Sequence, residues 1–384
     1  MKILHVNHLL DCITGGGTAE RTYQISRFLA RAGVECTVLT LDIGITPERI
    51  AGLENVRVVA LPCLNRRFFV PKVSFAALVE LVSRADVVHL SGHWTLLNAL
   101  VFRACRKLGK PYVFCPAGAL KPFGRSLALK RVYDACVGRK LAQAAAACVE
   151  ITEDERADFE AYGVVGSQVS VIPNGIDPAQ YELSDPGEAE ESFRQKCGVG
   201  SAPYLLFLGR LNEIKGPDML LDAFCRIAGR YASLHLIFAG PDAGMLRQLR
   251  DKSDAQDVAA RVHFTGFLGG SGKVAALRGA MLLAIPSRRE AMSIVVLEAG
   301  ICGTPVLFTD ACGLDGIALA AAGTMVQVSA EALAVGLLSA LSDQPALRAS
   351  AARLNALVRA RYLRRSQAER YRALYERLLT ASDR

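Results

Sequence analysis

Tyr204-Leu205-Leu206-Phe207-Leu208-Gly209-Arg210-Leu211-Asn212-Glu213-Ile214-Lys215-Gly216-Pro217 is the stretch whose reading decides the fold. Its opening run of apolar residues has no polar interruption, as in a strand covered on both faces. A loop follows from Gly209 to Gly216. Pro217 then opens a helix to Arg226 that sets Leu220, Ala223, Phe224 and Ile227 on one side. Leu234 to Ala239, Val262 to Thr265 and Met281 to Ile285 repeat the strand, the first two ending at Gly240-Pro241-Asp242 and Gly266. Strands alternating with helices imply a parallel sheet wound on both faces.

The same alternation runs through the first half. Ile3 to Asn7 is a strand, His8 to Thr18 a loop holding Gly15-Gly16-Gly17, and Glu20 to Ala32 a helix with Ile25, Phe28, Leu29 and Ala32 at helical spacing. Strands follow at Cys36 to Leu41, Val56 to Leu61, Ala85 to Leu90, Tyr112 to Cys115 and Cys148 to Thr152, and a last one from Val169 ends in the Pro173-Asn174-Gly175 turn. The expected architecture is therefore α/β, with two doubly wound parallel-sheet domains facing each other across a ligand-binding cleft. The boundaries read as 1–177 for the first domain, 178–200 for a linker rich in acids, Gly and Ser, and 201–361 for the second. The tail, Leu357 to Leu379, is a basic amphipathic helix whose Tyr371, Leu374, Tyr375 and Leu378 stripe needs an apolar partner.

Bulk properties narrow the partners. With 384 residues, a hydrophobic fraction of 51% and a charged fraction of 21%, the chain is globular and long enough for two cores. A formal charge of +8 and a pI of about 9.0 suit anionic partners. Eleven cysteines with no CxxC pair point to a reducing cytoplasm and no zinc site. No apolar window is long enough to cross a bilayer, so any membrane contact is peripheral, at the inner face.

Chemistry gathers in the second half. In Arg289-Glu290-Ala291-Met292-Ser293-Ile294-Val295-Val296-Leu297-Glu298, two carboxylates bracket an apolar segment that follows a strand and the breaker Pro286-Ser287. Ser293 is a candidate N-cap, so the first N–H groups of the ensuing helix form an anion site near Glu290. Glu298 lies among apolar neighbours and needs a hydrogen-bonding partner, for which a sugar hydroxyl would serve. Arg210 and Lys215, fixed beside a helix start, suit a diphosphate. In the first half, His93 and Trp94 stand at a strand end, where open α/β sheets bind ligands. Asn65 to Lys72 mixes Arg66 and Arg67 with Phe68 and Phe69 and could meet a headgroup region or pack inward. Lys121, Arg125, Lys130, Arg131, Arg139 and Lys140 form a second basic stretch. The triple glycine departs from G-x-G-x-x-G, so the signal for NAD is weak.

Gly15-Gly16-Gly17 with Glu20-Arg21, Pro173 to Asp177, Gly209-Arg210 with Lys215-Gly216, Phe264-Thr265-Gly266, and Glu290 through Glu298 into Gly303-Thr304-Pro305 together resemble glycosyltransferase family 4 over nearly the whole chain. The resemblance implies a GT-B fold, a nucleotide-sugar donor held mainly by the second domain, and transfer with retention of configuration. On that basis Arg210 and Lys215 bind the diphosphate, Glu298 the ribose and Glu290 the donor sugar, with amides of Ser293, Ile294 and Val295 assisting. Gly16, Gly17, Gly209, Gly240 and Gly266 complete the donor side, while Arg21, His93 and Trp94 are acceptor-side candidates. The last helix, about 362–384, is implied to return to the first domain. No cofactor or metal is expected, in keeping with the absence of Asp-x-Asp. Partners would be the donor, a glycan or lipid-linked acceptor of surface polysaccharide synthesis and an anionic membrane surface, with no nucleic acid. Alternatives are a nucleotide-sugar 2-epimerase on the same fold and a non-catalytic sugar-nucleotide or polysaccharide-binding subunit. Two departures stand out. Ala117 occupies a position where many relatives carry His or Arg, so a donor-site contact is either missing or supplied by His93 instead, and Ala291 follows the first Glu where Gly is usual.

Overall fold

Strands with no polar face need cover on both sides, and the chain supplies it with helices between parallel strands. The structure, a computed structural model, describes residues 1–382 other than Cys12 and Arg125; Asp383 and Arg384 also lie outside the described residues. It divides into two units, Met1–Gly175 together with the segment from Arg364, and Ile176–Leu363.

The first unit holds β1 (Lys2–Val6), β2 (Glu35–Leu41), β3 (Val56–Leu61), the short pair β4 (Cys63–Asn65) and β5 (Val70–Pro71), β6 (Val87–Ser91), β7 (Tyr112–Cys115), β8 (Ala147–Glu150) and β9 (Val169–Val171). Apart from the antiparallel β4–β5 pair, these strands form one parallel sheet in the order β3-β2-β1-β6-β7-β8-β9. The order reverses between β1 and β6, so the loops leaving these two strands diverge to opposite faces and open a crevice. The triple glycine is not all loop, as the sequence suggested: the helix starts at Gly16 and runs to Arg31. Gly15 precedes it because a Cβ there would come within 2.6 Å of Asp11 O and 2.5 Å of Ala19 Cβ.

The second unit contains β10 (Tyr204–Leu208), β11 (His235–Ala239), β12 (Val262–Gly266), β13 (Leu282–Ile285), β14 (Val306–Thr309) and β15 (Thr324–Val326). All pair in parallel, in the order β12-β11-β10-β13-β14-β15, with the reversal between β10 and β13. Leu205, Phe207, Leu220, Phe224, Leu236, Phe238 and Leu282 are among its core residues.

The linker expected at 178–200 is instead structured and part of the second unit. Asp185 caps a helix, Pro186–Cys197, by accepting the Glu188 N–H at 3.0 Å, and Pro186 supplies a first-turn residue that needs no donor. Phe193 is the buried anchor of that helix, its ring 6.0 Å from that of Tyr204, while Arg194 donates to the carbonyls of Ala202 and Gly279. A single apolar anchor leaves no periodic stripe, which is why the pattern was silent.

The tail forms two helices, Gln344–Arg361 and Arg364–Ser382, rather than one. Tyr371, Leu374 and Tyr375 of the last are buried in the first unit, beside a polar cluster. His5 and His89 are register partners on β1 and β6, their rings 5.5 Å apart, and His89 Nδ1 bonds Tyr375 Oη at 2.6 Å. Burial depresses the His5 imidazole from 6.5 to about 4 and pushes His89 well down too. The unfolded chain takes up these protons below about 6.5, whereas the native unit holds His5 neutral until about 4, so native stability falls with pH across that window. His5 alone accounts for on the order of 3 kcal/mol once pH is below both values. Urea midpoints followed from about pH 7 down to pH 4.5 should decline, and less steeply in a His5→Asn variant; equal slopes would contradict the assignment.

Candidate functional site

The reversal between β10 and β13 decides which loops share the crevice of the second unit: Gly209–Gly216 from β10 and Pro286–Ser293 from β13. The first loop is woven into its neighbour through backbone bonds. Gly209 N–H donates to Ala239 O at 2.9 Å, Leu211 N–H to Pro241 O at 3.0 Å, and Ala243 N–H back to Leu211 O at 3.1 Å. Gly240 has to lack a side chain, since a Cβ would sit 1.8 Å from Gly209 O. Gly266 completes the run by accepting the Gly240 N–H at 2.8 Å. Asn212 Oδ1 caps the turn at Lys215 N–H, 3.0 Å away.

Lys215 and Glu290, far apart in sequence, meet here. Lys215 Nζ donates to Glu290 Oε1, which also accepts from Ser287 Oγ at 2.8 Å. Side-chain exposure is 26% for Lys215 and 8% for Glu290, so the pair is shielded rather than superficial. Arg288 cross-ties the two loops: its N–H donates to Ile214 O at 2.7 Å, and its guanidinium grips Asp218 through two bonds of 2.8 and 2.6 Å. Burial opposes the Asp218 charge, but the Arg288 bonds outweigh it and hold the carboxyl below its usual range.

Ser293 occupies the N-cap of the Ile294–Cys302 helix, though its hydroxyl makes no capping bond. Its backbone N–H donates to Cys312 O at 3.3 Å. The helix start, with Ile294 and Val295 in its first turn, therefore follows directly on the loop that carries Glu290. Ala291 O lies only 1.8 Å from where a Cβ on Gly313 would stand, so the floor beneath this loop is closely packed. Glu298 stands in the second turn of the helix, is buried, and its partners belong to the protein. Oε1 accepts from Tyr181 Oη at 2.7 Å and from Lys273 Nζ at 2.8 Å. Arg210 is exposed and makes no ion pair with the described residues. A separate cavity of about 720 Å³ at the β12 edge, near Phe193, Arg250 and Phe264, includes none of Lys215, Glu290 and Glu298.

The glycosyl transferases group 1 family profile matches residues 189–356, enclosing nearly all of these side chains, and a glycosyl transferase 4-like domain profile matches residues 16–175. The chain is a group 1 glycosyltransferase. The transferase is 28% identical to the D-inositol 3-phosphate glycosyltransferase of Actinosynnema mirum over 340 residues, 81% of this chain and 80% of that one. Its fold is GT-B. Anabaena HepE in complex with UDP-glucose superposes with a TM-score of 0.81 at 20% identity, covering 99% of this chain and all of that one (100%). WaaG, a glycosyltransferase involved in lipopolysaccharide biosynthesis, gives 0.71 at 21% identity, covering 96% and 98%.

In the first unit of the transferase, three side chains read as acceptor-side candidates have structural occupations. Arg21 is buried and donates to Ile172 O at 3.0 Å, to Cys115 Sγ at 3.1 Å and to Tyr371 Oη. Its fork is committed to holding the last helix. His93 has no exposed side-chain surface and is ringed by Trp94, Phe114, Tyr133 and Tyr162, so it does not reach out in place of a side chain at Ala117. His93 Nε2 and Trp94 Nε1 both bond Asp134 Oδ1 at 2.9 Å. Burial lowers the His93 pKa despite that partner; burial also works against Asp134, but the bonds from His93 and Tyr162 carry it below its usual range. Trp94 remains half-buried, with Lys130 Nζ 4.5 Å over its ring. Ala117 lies in the left-handed region, φ +54°, next to Gly118, whose N–H donates to Glu155 Oε1.

The residues that sequence reasoning missed are Ser287, Tyr181 and Lys273. Tyr181 falls inside the 178–200 stretch whose composition reads as a linker, and Lys273 is one cation among many. The signal available was the isolated aromatic in an otherwise polar segment, which an orphaned carboxylate such as Glu298 would need.

Proposed function

We propose that the transferase moves a sugar, with retention of anomeric configuration, from a nucleoside diphosphate donor to a glycan or lipid-linked acceptor of a surface polysaccharide. The observation that carries this reading is the Lys215–Glu290 pair, set in the same crevice as the start of the Ile294–Cys302 helix. Breaking a glycosyl phosphate bond develops negative charge on the leaving diphosphate, so a fixed cation and helix N–H groups in a shielded site stabilise that charge where it appears. Lys215 is the cation, the exposed Arg210 the second one, and Glu290 orients Lys215 before turning to the sugar. The leaving phosphate itself takes the acceptor proton on the same face, which needs no protein base. Anabaena HepE, with its UDP and UDP-glucose complexes, favours a uridine nucleotide.

The membrane surface enters through the first unit. Leu127, Leu129 and Val132 of the Leu127–Tyr133 helix and Phe123 before it are exposed beside Lys130 and Arg131, and Phe68 is exposed beside Arg67. Of the two inward-packing candidates in that basic loop, only Phe69 packs, edge-on to His8 at 5.0 Å. Apolar tips among cations suit an anionic bilayer.

Incubation with a panel of nucleotide sugars, followed by detection of binding and slow donor hydrolysis, tests the donor half; silence toward every donor overturns the reading. Mass spectrometry of products tests the acceptor. The name of the Actinosynnema relative supports a second reading, a phosphorylated cyclitol acceptor. Product formed with inositol phosphate and not with lipid-linked glycans would favour it. Epimerised nucleotide sugar released without any acceptor would instead identify an epimerase.

A further inference from the structure

We propose that Tyr181 and Lys273 are positioning residues that fix one oxygen of Glu298 so that the other alone is presented to the ribose of a bound nucleotide. The inference rests on the donor-site reading above and extends it to how the nucleoside is recognised.

The geometry is specific. Glu298 is 8% exposed and its Oε1 accepts both Tyr181 Oη, at 2.7 Å, and Lys273 Nζ, at 2.8 Å. The two donors also touch each other, with Lys273 Nζ 3.4 Å from Tyr181 Oη and 5.3 Å over its ring. Glu298 Oε2 takes no hydrogen bond from the described residues. A buried carboxylate with one saturated oxygen and one open oxygen is an acceptor aimed in a single direction, which a vicinal diol can meet with one hydroxyl. A lysine alone would satisfy the charge and leave the plane of the carboxylate free to rotate. The tyrosine, held by its buried ring, supplies the second point that fixes that plane.

The three groups come from distant parts of the second unit. Tyr181 ends the Pro178–Tyr181 turn, just after the chain leaves the first unit at Gly175, Lys273 stands in the Gly270–Arg278 helix, and Glu298 in Ile294–Cys302. Only the tertiary fold brings them together, and none of the three takes part in the Lys215–Glu290 pair.

The test compares the affinities of UDP, GDP and ADP with those of their 2′-deoxy and 3′-deoxy forms, by calorimetry, for the unaltered chain and for Tyr181→Phe. The Phe ring keeps the packing and removes only the hydroxyl. The unaltered chain should prefer the ribonucleotide by about tenfold or more over at least one deoxy form, the scale of a hydrogen bond to a charged acceptor. Tyr181→Phe should weaken ribonucleotide binding while leaving deoxynucleotide binding nearly unchanged, so that the preference shrinks severalfold. Lys273→Met should shrink it as well, and Lys273→Arg should restore part of it. A purely structural role would lower all affinities together and leave the ratio intact, which overturns the positioning role while sparing the donor site. Equal binding of ribo- and deoxynucleotides by the unaltered chain overturns the orientation of Glu298 proposed here. Failure of every nucleotide to bind overturns the donor-site reading and this inference with it.

Discussion

Substituting Lys215 by Met should cut glycosyl transfer by about 100- to 1,000-fold in kcat, the scale of removing one preorganised donor from a site of developing charge. The same change strands Glu290, which is 8% exposed and among the described residues would retain only the Ser287 hydroxyl, bonded at 2.8 Å. Breaking a shielded ion pair by deleting one partner is costly, although the 26% exposure of Lys215 lets water offset part of the loss. A destabilisation of about 1 to 3 kcal/mol is expected. The two effects separate in a double variant. Lys215→Met with Glu290→Gln removes the stranded charge and should recover most of the melting temperature, yet activity should stay at the level of the single variant or lower. Recovery of activity along with stability would mean that Lys215 serves the fold and not the leaving diphosphate.

Gly216→Ala should cost upwards of about 4 kcal/mol, a range reached only by a few mechanisms, of which a forced backbone clash is one. Gly216 has φ +67°, and a Cβ there would lie 2.1 Å from the carbonyl oxygen of Pro286, a backbone atom with no side-chain freedom to yield. Gly33 offers the control. Its φ is +82°, but nothing lies within 4 Å of the added carbon, so Gly33→Ala carries only the left-handed penalty of about 1 to 2 kcal/mol. Denaturant titration of the two variants should show the gap. Comparable midpoints would refute the close approach of the β10 and β13 loops on which the Lys215–Glu290 contact depends.

Much of the fold was legible because its strands are uninterrupted apolar runs. Tyr204–Leu208 and Val87–Ser91 are buried end to end or nearly so, and no amphipathic alternation competed with the reading. The pairing of the Glu290 loop with the Lys215 loop could be anticipated from motif order, and the strand order supplies its physical cause. What stayed hidden has a common origin in long-range partnership. Arg21 looks like a surface cation until the Tyr371 hydroxyl and the Ile172 carbonyl are seen around it. His93 at a strand end looks available until its ring of aromatics is seen, and Glu298 looks orphaned until Tyr181 arrives from a segment whose composition gave no period. Local patterning reports which face of an element is apolar; it does not report which distant polar group has been enlisted to satisfy a buried one.

The placement of the Arg364–Ser382 helix in the first unit has a bearing on synthesis. Chains emerge N-terminus first, and domains fold as units as they appear. The second unit, Ile176–Leu363, is contiguous and can close as soon as it clears the ribosome. The first cannot: Tyr371 and Tyr375, which cover His5, His89 and Arg21, are made only after the whole of the second unit. Throughout translation of the middle of the chain, the nascent first unit keeps an unsealed polar seam between β1, β6 and the Gly16–Arg31 helix. A chain truncated before Tyr371 and released from the ribosome would therefore hold a finished second unit and an unfinished first one, and its protease sensitivity should concentrate before Gly175.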